Sequence, residues 1–224
     1  MTAAEDQNLI DSLLDPEGTQ DTTAGEYAAD GSRRRVGIER DPAHRRQPKL
    51  REFRRGLRHE AAKEVIGTLP EAGGEIVIVL AGTFHGVDLF TATLDLAGVP
   101  AKFVDFATLA INKTHTELLA GLYDEGRVQA MRMLISDVFR ANSIPEWTHL
   151  SQTFERIGQP LHTARNHAKI ICVEFVDGRK FAIHGSLNLR RCNSYEQAAI
   201  AHDAELHDFF RQFIDDAIDG IMPS

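Results

Sequence analysis

Residues 168–183 read AKIICVEFVDGRKFAI, two aliphatic runs on either side of an Asp-Gly pair. A continuous run of Ile, Val and Phe is typical of a strand that is buried on both faces. The pair Asp177-Gly178 is a strong hairpin signal, because the second position of such a turn accepts the positive φ that glycine adopts freely. We therefore predict two strands, 168–175 and 180–183, joined as a hairpin.

Strand and helix patterns alternate on both sides of this hairpin. The first predicted helix is stopped by Pro70 and the Gly73-Gly74 pair, and the second by Gly98 and Pro100. This order predicts an α/β domain whose mixed sheet is flanked by helices on both faces. The predicted strands are 75–81, 101–106, 128–135 and 197–201, and the predicted helices are 53–69, 87–97, 114–123, a helix within 142–157, and 204–218.

The composition is that of an ordinary globular domain, with 42% hydrophobic and 26% charged residues. No apolar stretch approaches the ~18 consecutive residues that a membrane helix needs, and residues 1–15 carry carboxylates in place of the basic head of a secretory signal. Cys172 and Cys192 are too few for a disulfide framework or a four-cysteine zinc site. We expect a cytoplasmic protein with no membrane partner and no cofactor.

Charge is distributed in blocks along the chain. Residues 1–30 carry a net charge of −8, residues 31–60 carry +7, and residues 61–224 carry −7. The Arg-rich run 33–58 has two interpretations that both stay open. It is either a solvated tail or an arm that neutralises the phosphates of a nucleic acid.

The aliphatic pattern divides the chain in two. Residues 1–48 have almost no aliphatic periodicity, which predicts a disordered leader, acidic and then basic. A folded domain is predicted over 49–224, long enough for a single core.

The polar residues around the hairpin predict a phosphate site. If the first strand is extended from Asn166, alternation places His167 and Lys169 on one face. Just past the return strand, Ser186 and Asn188 are also two residues apart. An ammonium, a hydroxyl and an amide suit a phosphate, while the imidazole is a nucleophile or proton carrier. The adjacent Gly185 is expected to let the backbone approach a ligand.

These residues resemble the signature of the phospholipase D superfamily, H-x-K-x4-D followed by G-S-x-N. The match reads His167-x-Lys169, Glu174 where the family has Asp, Gly185-Ser186-Leu187-Asn188, and Glu196 where the family often places an acid. Alternation places Glu174 on the strand face opposite His167, so we assign it a supporting role. Glu196 is the better choice for the acid that orients an imidazole.

The resemblance implies a phospholipase D-like fold and metal-independent cleavage of a phosphodiester through a phosphohistidine. Two copies of the motif are required, and this chain has one H-x-K among its ten histidines. A homodimer would supply the second half of the site. Short single-motif members are largely nucleases, which makes a DNA endonuclease the favoured function. The implied roles are catalytic for His167, Lys169 and Glu196, phosphate-binding for Lys169, Ser186 and Asn188, and supporting for Glu174 and Gly185.

Other interpretations remain beside this one. The domain could bind nucleic acid without cleaving it, as a module of a mobile-element or phage assembly, and a phospholipase is the least favoured alternative. His184 fits a structural position at a strand edge better than a catalytic one. The H-x4-H spacings of 162–167 and 202–207 do not predict zinc, because no C-x2-C pair accompanies them.

Overall fold

The computed structural model of the chain describes residues 50–56, 62–81, 85–190 and 195–220. The predicted leader, 1–48, and most of the Arg-rich run lie outside these ranges, so the division at residue 48 stays a prediction. The strands within them are β1 (Leu50–Gly56), β2 (Gly74–Ala81), β3 (Ala101–Thr108), β4 (Met131–Ser136), β5 (Leu161–Ala164), β6 (Ile170–Phe175), β7 (Lys180–Gly185) and β8 (Tyr195–Ala201). The helices are α1 (Ala62–Ile66), α2 (Gly86–Ala97), α3 (Lys113–Asp124), α4 (Asp137–Asn142), α5 (Ile144–Arg156) and α6 (Ala204–Ile218).

The described strands form one mixed sheet in the order β1-β2-β8-β7-β6-β3-β4-β5. Strands β2, β8, β7, β6 and β3 pair antiparallel in that order, whereas β1 pairs parallel with β2, and β4 lies parallel to both β3 and β5. The carboxyl ends of β3, β4, β5 and β7 therefore meet the amino ends of β6 and β8 at one edge of the sheet.

Helices cover both faces of the sheet, as predicted. Alternation along β6 shows the division, because Ile171 and Val173 join the larger core with α1, α2, α3 and α5. Ile170 and Cys172 face the other way, toward a smaller core that α6 completes with Ile214. The α/β fold class with a mixed sheet and two helical layers is confirmed.

The central hairpin is confirmed. Residues 176–179 connect β6 to β7, and Gly178 adopts a φ of 86°. Its amide donates to the Phe175 carbonyl oxygen at 3.0 Å, which closes the turn. A side chain at residue 178 would be strained by this positive φ, so the Asp-Gly signal identified the turn for a physical reason.

The predicted helix over 53–69 is wrong at its start. Residues 50–56 form strand β1, and the helix in this region is confined to Ala62–Ile66, ending at Gly67 with a φ of 65°. The strand pairs with β2 in register, Phe53 opposite Val77. Backbone hydrogen bonds to a neighbouring strand outweigh a helical spacing of apolar residues, because that spacing is only a local preference.

Other elements also differ from the sequence prediction. Strand β6 begins at Ile170, so His167 and Lys169 precede it. Strand β5 and helix α4 were not predicted, since four and six residues are too few to show a period. In the described part of the chain, every helix is too short or too polar to cross a bilayer.

Candidate active site

The motif residues come together at the sheet edge described above. Ile170, the first residue of β6, pairs with His184 near the end of β7. Gly185, the last residue of β7, pairs with Ala198 in β8. The segments 166–169, 185–190 and 195–197 thus lie side by side, although up to about thirty residues separate them in sequence. This edge is the candidate active site.

His167 and Lys169 meet in the irregular segment before β6. Lys169 Nζ lies 2.9 Å from His167 Nδ1 and also donates to the His167 carbonyl oxygen at 2.8 Å. The imidazole is exposed, and the lysine is half-buried. The two groups form one solvent-facing pair without the strand geometry that the sequence predicts for them.

The environment of the pair favours a neutral imidazole. Burial, and then the neighbouring Lys169 ammonium, lower the pKa of His167 below its ordinary value. Burial also lowers the pKa of Lys169, while the charge of Glu196 opposes that shift. The neutral imidazole carries the lone pair needed for nucleophilic attack, so the lowered pKa holds His167 in its reactive form at neutral pH.

Ser186 and Glu196 form a second polar pair beside the first. The exposed Ser186 hydroxyl donates to Glu196 Oε2 and accepts from the Gln197 amide at 3.0 Å. The Glu196 carboxylate also raises the pKa of Lys169, so the two charges interact. Its observed hydrogen-bond partner is the serine, and the imidazole partner that the sequence predicts stays a prediction.

Gly185 is required by the sheet itself. Its φ is 153°, and a Cβ at this position would lie 2.1 Å from the Gln197 carbonyl oxygen. The missing side chain lets the end of β7 approach β8 closely, which brings Ser186 to Gln197. The structure shows this contact for the glycine, and an approach of the backbone to a ligand stays a prediction.

Asn188 lies in a loop that the start of α2 holds in place. The Gly86 amide donates to the Asn188 carbonyl oxygen at 2.9 Å. The Asn188 Oδ1 atom is buried and has no hydrogen-bond partner among the described residues. Because buried polar atoms are ordinarily paired, the unpaired Oδ1 makes Asn188 a candidate ligand-binding residue.

Asn166 and Thr108 connect the two motif segments. The buried Asn166 amide donates to Thr108 O at 3.3 Å and Leu134 O at 3.4 Å, and its Oδ1 accepts from the Ala168 amide at 2.8 Å. The buried Thr108 hydroxyl accepts from the Leu189 amide at 3.4 Å. Thr108, the last residue of β3, thus contacts both the segment 166–169 and the loop 185–190, which contains Ser186.

A histidine pair supports the same loop from the other side. His115 is buried, and its Nδ1 bonds to the Leu189 carbonyl oxygen. Its ring packs edge-on against His85 with centroids 4.5 Å apart, and His85 Nδ1 lies 2.8 Å from Asp88 Oδ2. Burial lowers the pKa of His115, so its ring is held neutral as a structural donor.

Glu174 lies at the far end of β6. Five residues of strand separate it from Lys169, about 17 Å at the usual rise of a strand. Its carboxylate is 2.8 Å from Lys102 Nζ and 3.7 Å from Arg211 Nη1. The Lys102 hydrogen bond is the main cause of its lowered pKa. A supporting role for Glu174 remains a prediction, and these contacts act on the sheet and α6.

His184 points into the structure. Its Nε2 lies 3.7 Å from the buried Glu75 carboxylate, and its ring packs on Phe210 at 5.2 Å between centroids. Burial lowers its pKa. These contacts agree with the structural position expected from the sequence.

Sequence reasoning missed the residues that hold the site together. Asn166 could have been noticed, because it directly precedes His167 and Asn side chains often bond to nearby backbone. Thr108 and His115 gave no signal, since 81 and 74 residues separate them from their partner Leu189. Contacts over such separations follow from the sheet order alone.

Neither protein-family models nor curated proteins match this sequence. Among similar solved structures is polyphosphate kinase from Porphyromonas gingivalis, with a TM-score of 0.49 and 13% identity over 66% of this chain and 26% of that chain. Another is phosphatidylserine synthase from Haemophilus influenzae, with a TM-score of 0.44 and 17% identity over 63% of this chain and 37% of that chain. The chain therefore spans about a quarter and somewhat over a third of their lengths.

Proposed function

We propose that the protein is a phospholipase D-like phosphodiesterase in which His167 is the nucleophile. The observation that carries this proposal is the contact between the exposed His167 imidazole, whose pKa is lowered, and the Lys169 ammonium. The hydrogen-bonded pair of Ser186 and Glu196 lies at the same sheet edge. An imidazole that attacks phosphorus needs a cation to bind the phosphoryl oxygens and an acid to protonate the leaving oxygen.

The reaction takes place in two displacements at phosphorus. A neutral His167 nitrogen forms a bond to phosphorus, and the bond from phosphorus to the leaving oxygen breaks. The leaving oxygen takes a proton from a second, protonated imidazole. Water then attacks the phosphohistidine, gives a proton back to that second imidazole, and releases the phosphate monoester together with His167.

The neighbouring residues bind and orient the phosphate. Lys169 Nζ exchanges its contact with the imidazole for a contact with a phosphoryl oxygen, so that its positive charge stabilises the negative charge of the substrate. Ser186 donates a hydroxyl proton once it leaves Glu196, and the Asn188 amide turns toward the same anion. Glu196 stabilises the positive charge of Lys169, because its carboxylate raises the pKa of that lysine.

The second imidazole comes from another copy of the chain. We propose a symmetric homodimer in which His167 of each subunit faces one phosphate, because the sequence contains a single H-x-K motif. The exposure of His167 and Ser186 agrees with a half-site that opens onto a partner or a substrate.

The proposed substrate is DNA, and the proposed activity is endonucleolytic. Arg165 and Arg190 are exposed, and in sequence they flank the segments that hold His167, Lys169 and Ser186. Such cations contact neighbouring phosphates of a polyanion and need no sequence preference. The Arg-rich run 33–58 would extend the same attraction.

The test is cleavage of single- and double-stranded DNA by the purified chain in the presence of EDTA. We expect cleavage to persist in EDTA and His167→Ala to reduce it at least about a thousandfold, since the nucleophile is lost. His149→Ala is the matched control, because His149 pairs with Glu117 on α3, away from the motif residues, and should retain full activity.

Loss of cleavage in EDTA, or full cleavage by His167→Ala, would falsify this mechanism. Solution mass provides a separate check, because a strict monomer with undiminished activity contradicts the shared site. Binding of DNA without any cleavage would favour the alternative function, a nucleic-acid-binding module.

A further inference from the structure

The turn between α4 and α5 exposes apolar side chains to solvent. Val138 of α4 is 46% exposed, and Ile144, the first residue of α5, is 64% exposed. Ala141 and Pro145 are exposed as well. We call residues 137–145 the α4–α5 corner. Because these apolar side chains are not covered by the described part of the chain, they are available for contact with another molecule.

The α4–α5 corner lies at the same end of the sheet as the candidate active site. Helix α4 follows directly on Ser136, the last residue of β4, whose Oγ accepts from the Val138 amide at 3.2 Å. Ser136 lies opposite Ala164, the last residue of β5, and His167 follows three residues later. The start of α4 and the segment 166–169 therefore extend from the ends of two neighbouring strands.

Helix α5 keeps Ile144 at this end of the sheet. Just past the other end of α5, the Gln159 side chain accepts from the amide of Met131, the first residue of β4, at 2.8 Å. Helix α5 therefore runs antiparallel to β4. Its 13 residues span about 20 Å, which is about the length of the six-residue strand. Ile144 is consequently level with the carboxyl end of β4 and with the candidate active site.

The charges of the α4–α5 corner favour a second copy of the chain over a nucleic acid. Asp137 and Arg140 are exposed, and residues 137–145 contain no other charged side chain. The corner therefore has no net positive charge with which to attract phosphates. Across a two-fold axis, Asp137 of one subunit can face Arg140 of the partner subunit, and the reciprocal contact forms at the same time. One acid and one base on the same surface thus make it self-complementary.

We propose that the α4–α5 corner is a contact surface between two copies of this chain. The proposal rests on the proposed function, because a second His167 has to approach the same end of the molecule. A two-fold axis at this end brings each corner toward the partner subunit. Burial of Val138 and Ile144 in the contact removes their apolar surface from water, which stabilises the dimer.

Sedimentation equilibrium of the full-length chain tests this surface. We expect the parent protein to have twice the mass of one chain. Val138→Glu should weaken the dimer about a hundredfold or more, because the two-fold axis places the new charge in the contact twice. Ile144→Glu should act in the same way. Val176→Glu is the matched control, because Val176 is also 46% exposed but lies in the turn between β6 and β7, at the opposite end of the sheet. It should leave the dimer unchanged.

Charge reversal tests whether the occupant is a second copy. Asp137→Arg alone should weaken the dimer, because two bases then face each other across the axis. Asp137→Arg together with Arg140→Asp should restore it, and circular dichroism checks that each variant is folded. A monomeric parent protein, or a dimer that Val138→Glu and Asp137→Arg both leave unchanged, would overturn the proposal. Weaker DNA binding by these variants at an unchanged mass would overturn it too, since the corner would then bind nucleic acid.

Failure of this proposal and failure of the proposed function are distinguishable. A dimer that depends on Val138, in a chain that cleaves no DNA, keeps the contact surface and removes the nuclease. Cleavage by a dimer that Val138→Glu leaves intact keeps the phosphodiesterase and removes this contact surface.

Discussion

Two polar clusters of this protein sit on the same sheet and behave in opposite ways. In the buried cluster, Asp105 of β3 is fully buried and its carboxylate lies 2.7 Å from Arg132 Nε and 3.5 Å from Arg211 Nε. Arg132 also pairs with Asp215 of α6 at 2.7 Å. At the exposed edge, in contrast, Lys169 Nζ contacts the His167 ring and the His167 carbonyl oxygen, with no carboxylate at ion-pair distance among the described residues.

The two clusters differ in how their charges are paired. The buried charges stabilise the fold, and the exposed ones are those that we propose to bind a ligand. A buried carboxylate must be paired, and burial raises the pKa of Asp105 while the Arg132 hydrogen bond opposes that shift. At the edge, solvent stabilises the unpaired ammonium, and in the proposed function a phosphate replaces that solvent. Substitutions in the buried cluster should therefore lower stability, and substitutions at the edge should lower activity.

The largest expected effect is on stability, from Arg132→Met. This change leaves Asp105 buried with its main partner removed, and we expect the free energy of unfolding to fall by about 3–5 kcal/mol. Urea denaturation followed by circular dichroism measures it. Arg156→Met is the control, because Arg156 and Asp124 are each 52% exposed and such a pair contributes at most about 1 kcal/mol. An equal fall in the free energy of unfolding in Arg132→Met and Arg156→Met would contradict the distinction between buried and exposed ion pairs.

The second effect is on activity, from Lys169→Met. Removal of the cation that binds the phosphoryl oxygens should lower kcat about a hundred- to a thousandfold, while the free energy of unfolding changes by no more than about 0.5 kcal/mol. Steady-state cleavage and urea denaturation check the two parts. Lys102→Met, which breaks the exposed pair with Glu174, should leave kcat unchanged. A Lys169→Met protein that cleaves normally would exclude this lysine from the site.

A third substitution lies between the two clusters. Thr108→Val keeps the shape of the side chain but removes the hydroxyl that Leu189 donates to, so the Ser186 loop should shift. We expect kcat to fall about tenfold, because small displacements of reacting groups are costly, with KM little changed. Thr108→Ser retains the hydroxyl and should restore kcat. A lower melting temperature with normal kcat in Thr108→Val would show a purely structural role.

The smallest effect is the pH response of His167. Its folded pKa is lowered, so the imidazole loses its proton below its ordinary value of 6.5, and the nucleophile becomes available as pH rises through the lowered pKa. Because Lys169 is one of the two causes, Lys169→Met should raise the pKa of His167. NMR titration of the His167 ring in the two proteins measures the change. Identical titration curves would mean that the ammonium has no electrostatic effect on the imidazole.

Local chemistry explains what the sequence predicted correctly. The hairpin was visible because Asp177-Gly178 requires a positive φ, and the buried strands were visible as continuous aliphatic runs. The first helix was predicted wrongly, since the strand over 50–56 exists through its pairing with β2. Strand pairing depends on two segments together, so it leaves no periodic pattern in the sequence of either one.

The site shows the same division. Spacing in the sequence was enough to select His167, Lys169, Ser186 and Asn188, and it also selected Glu196. It placed the imidazole and the ammonium on β6, whereas both residues precede that strand. Its assignment of Glu196 to an imidazole stays a prediction beside the observed contact with the Ser186 hydroxyl. The direction of a side chain in an irregular segment depends on what packs around it, and alternation applies only to residues within a strand.

The sequence by itself determined which polar groups this protein presents at the candidate site, because those groups lie in two short motifs. Only the tertiary structure decided that the motifs share an edge and that Thr108 and His115 hold them there. The physical reason is distance along the chain. Hydrogen bonds and burial between residues 74 or 81 positions apart arise from the order of strands in the sheet, which no local pattern encodes.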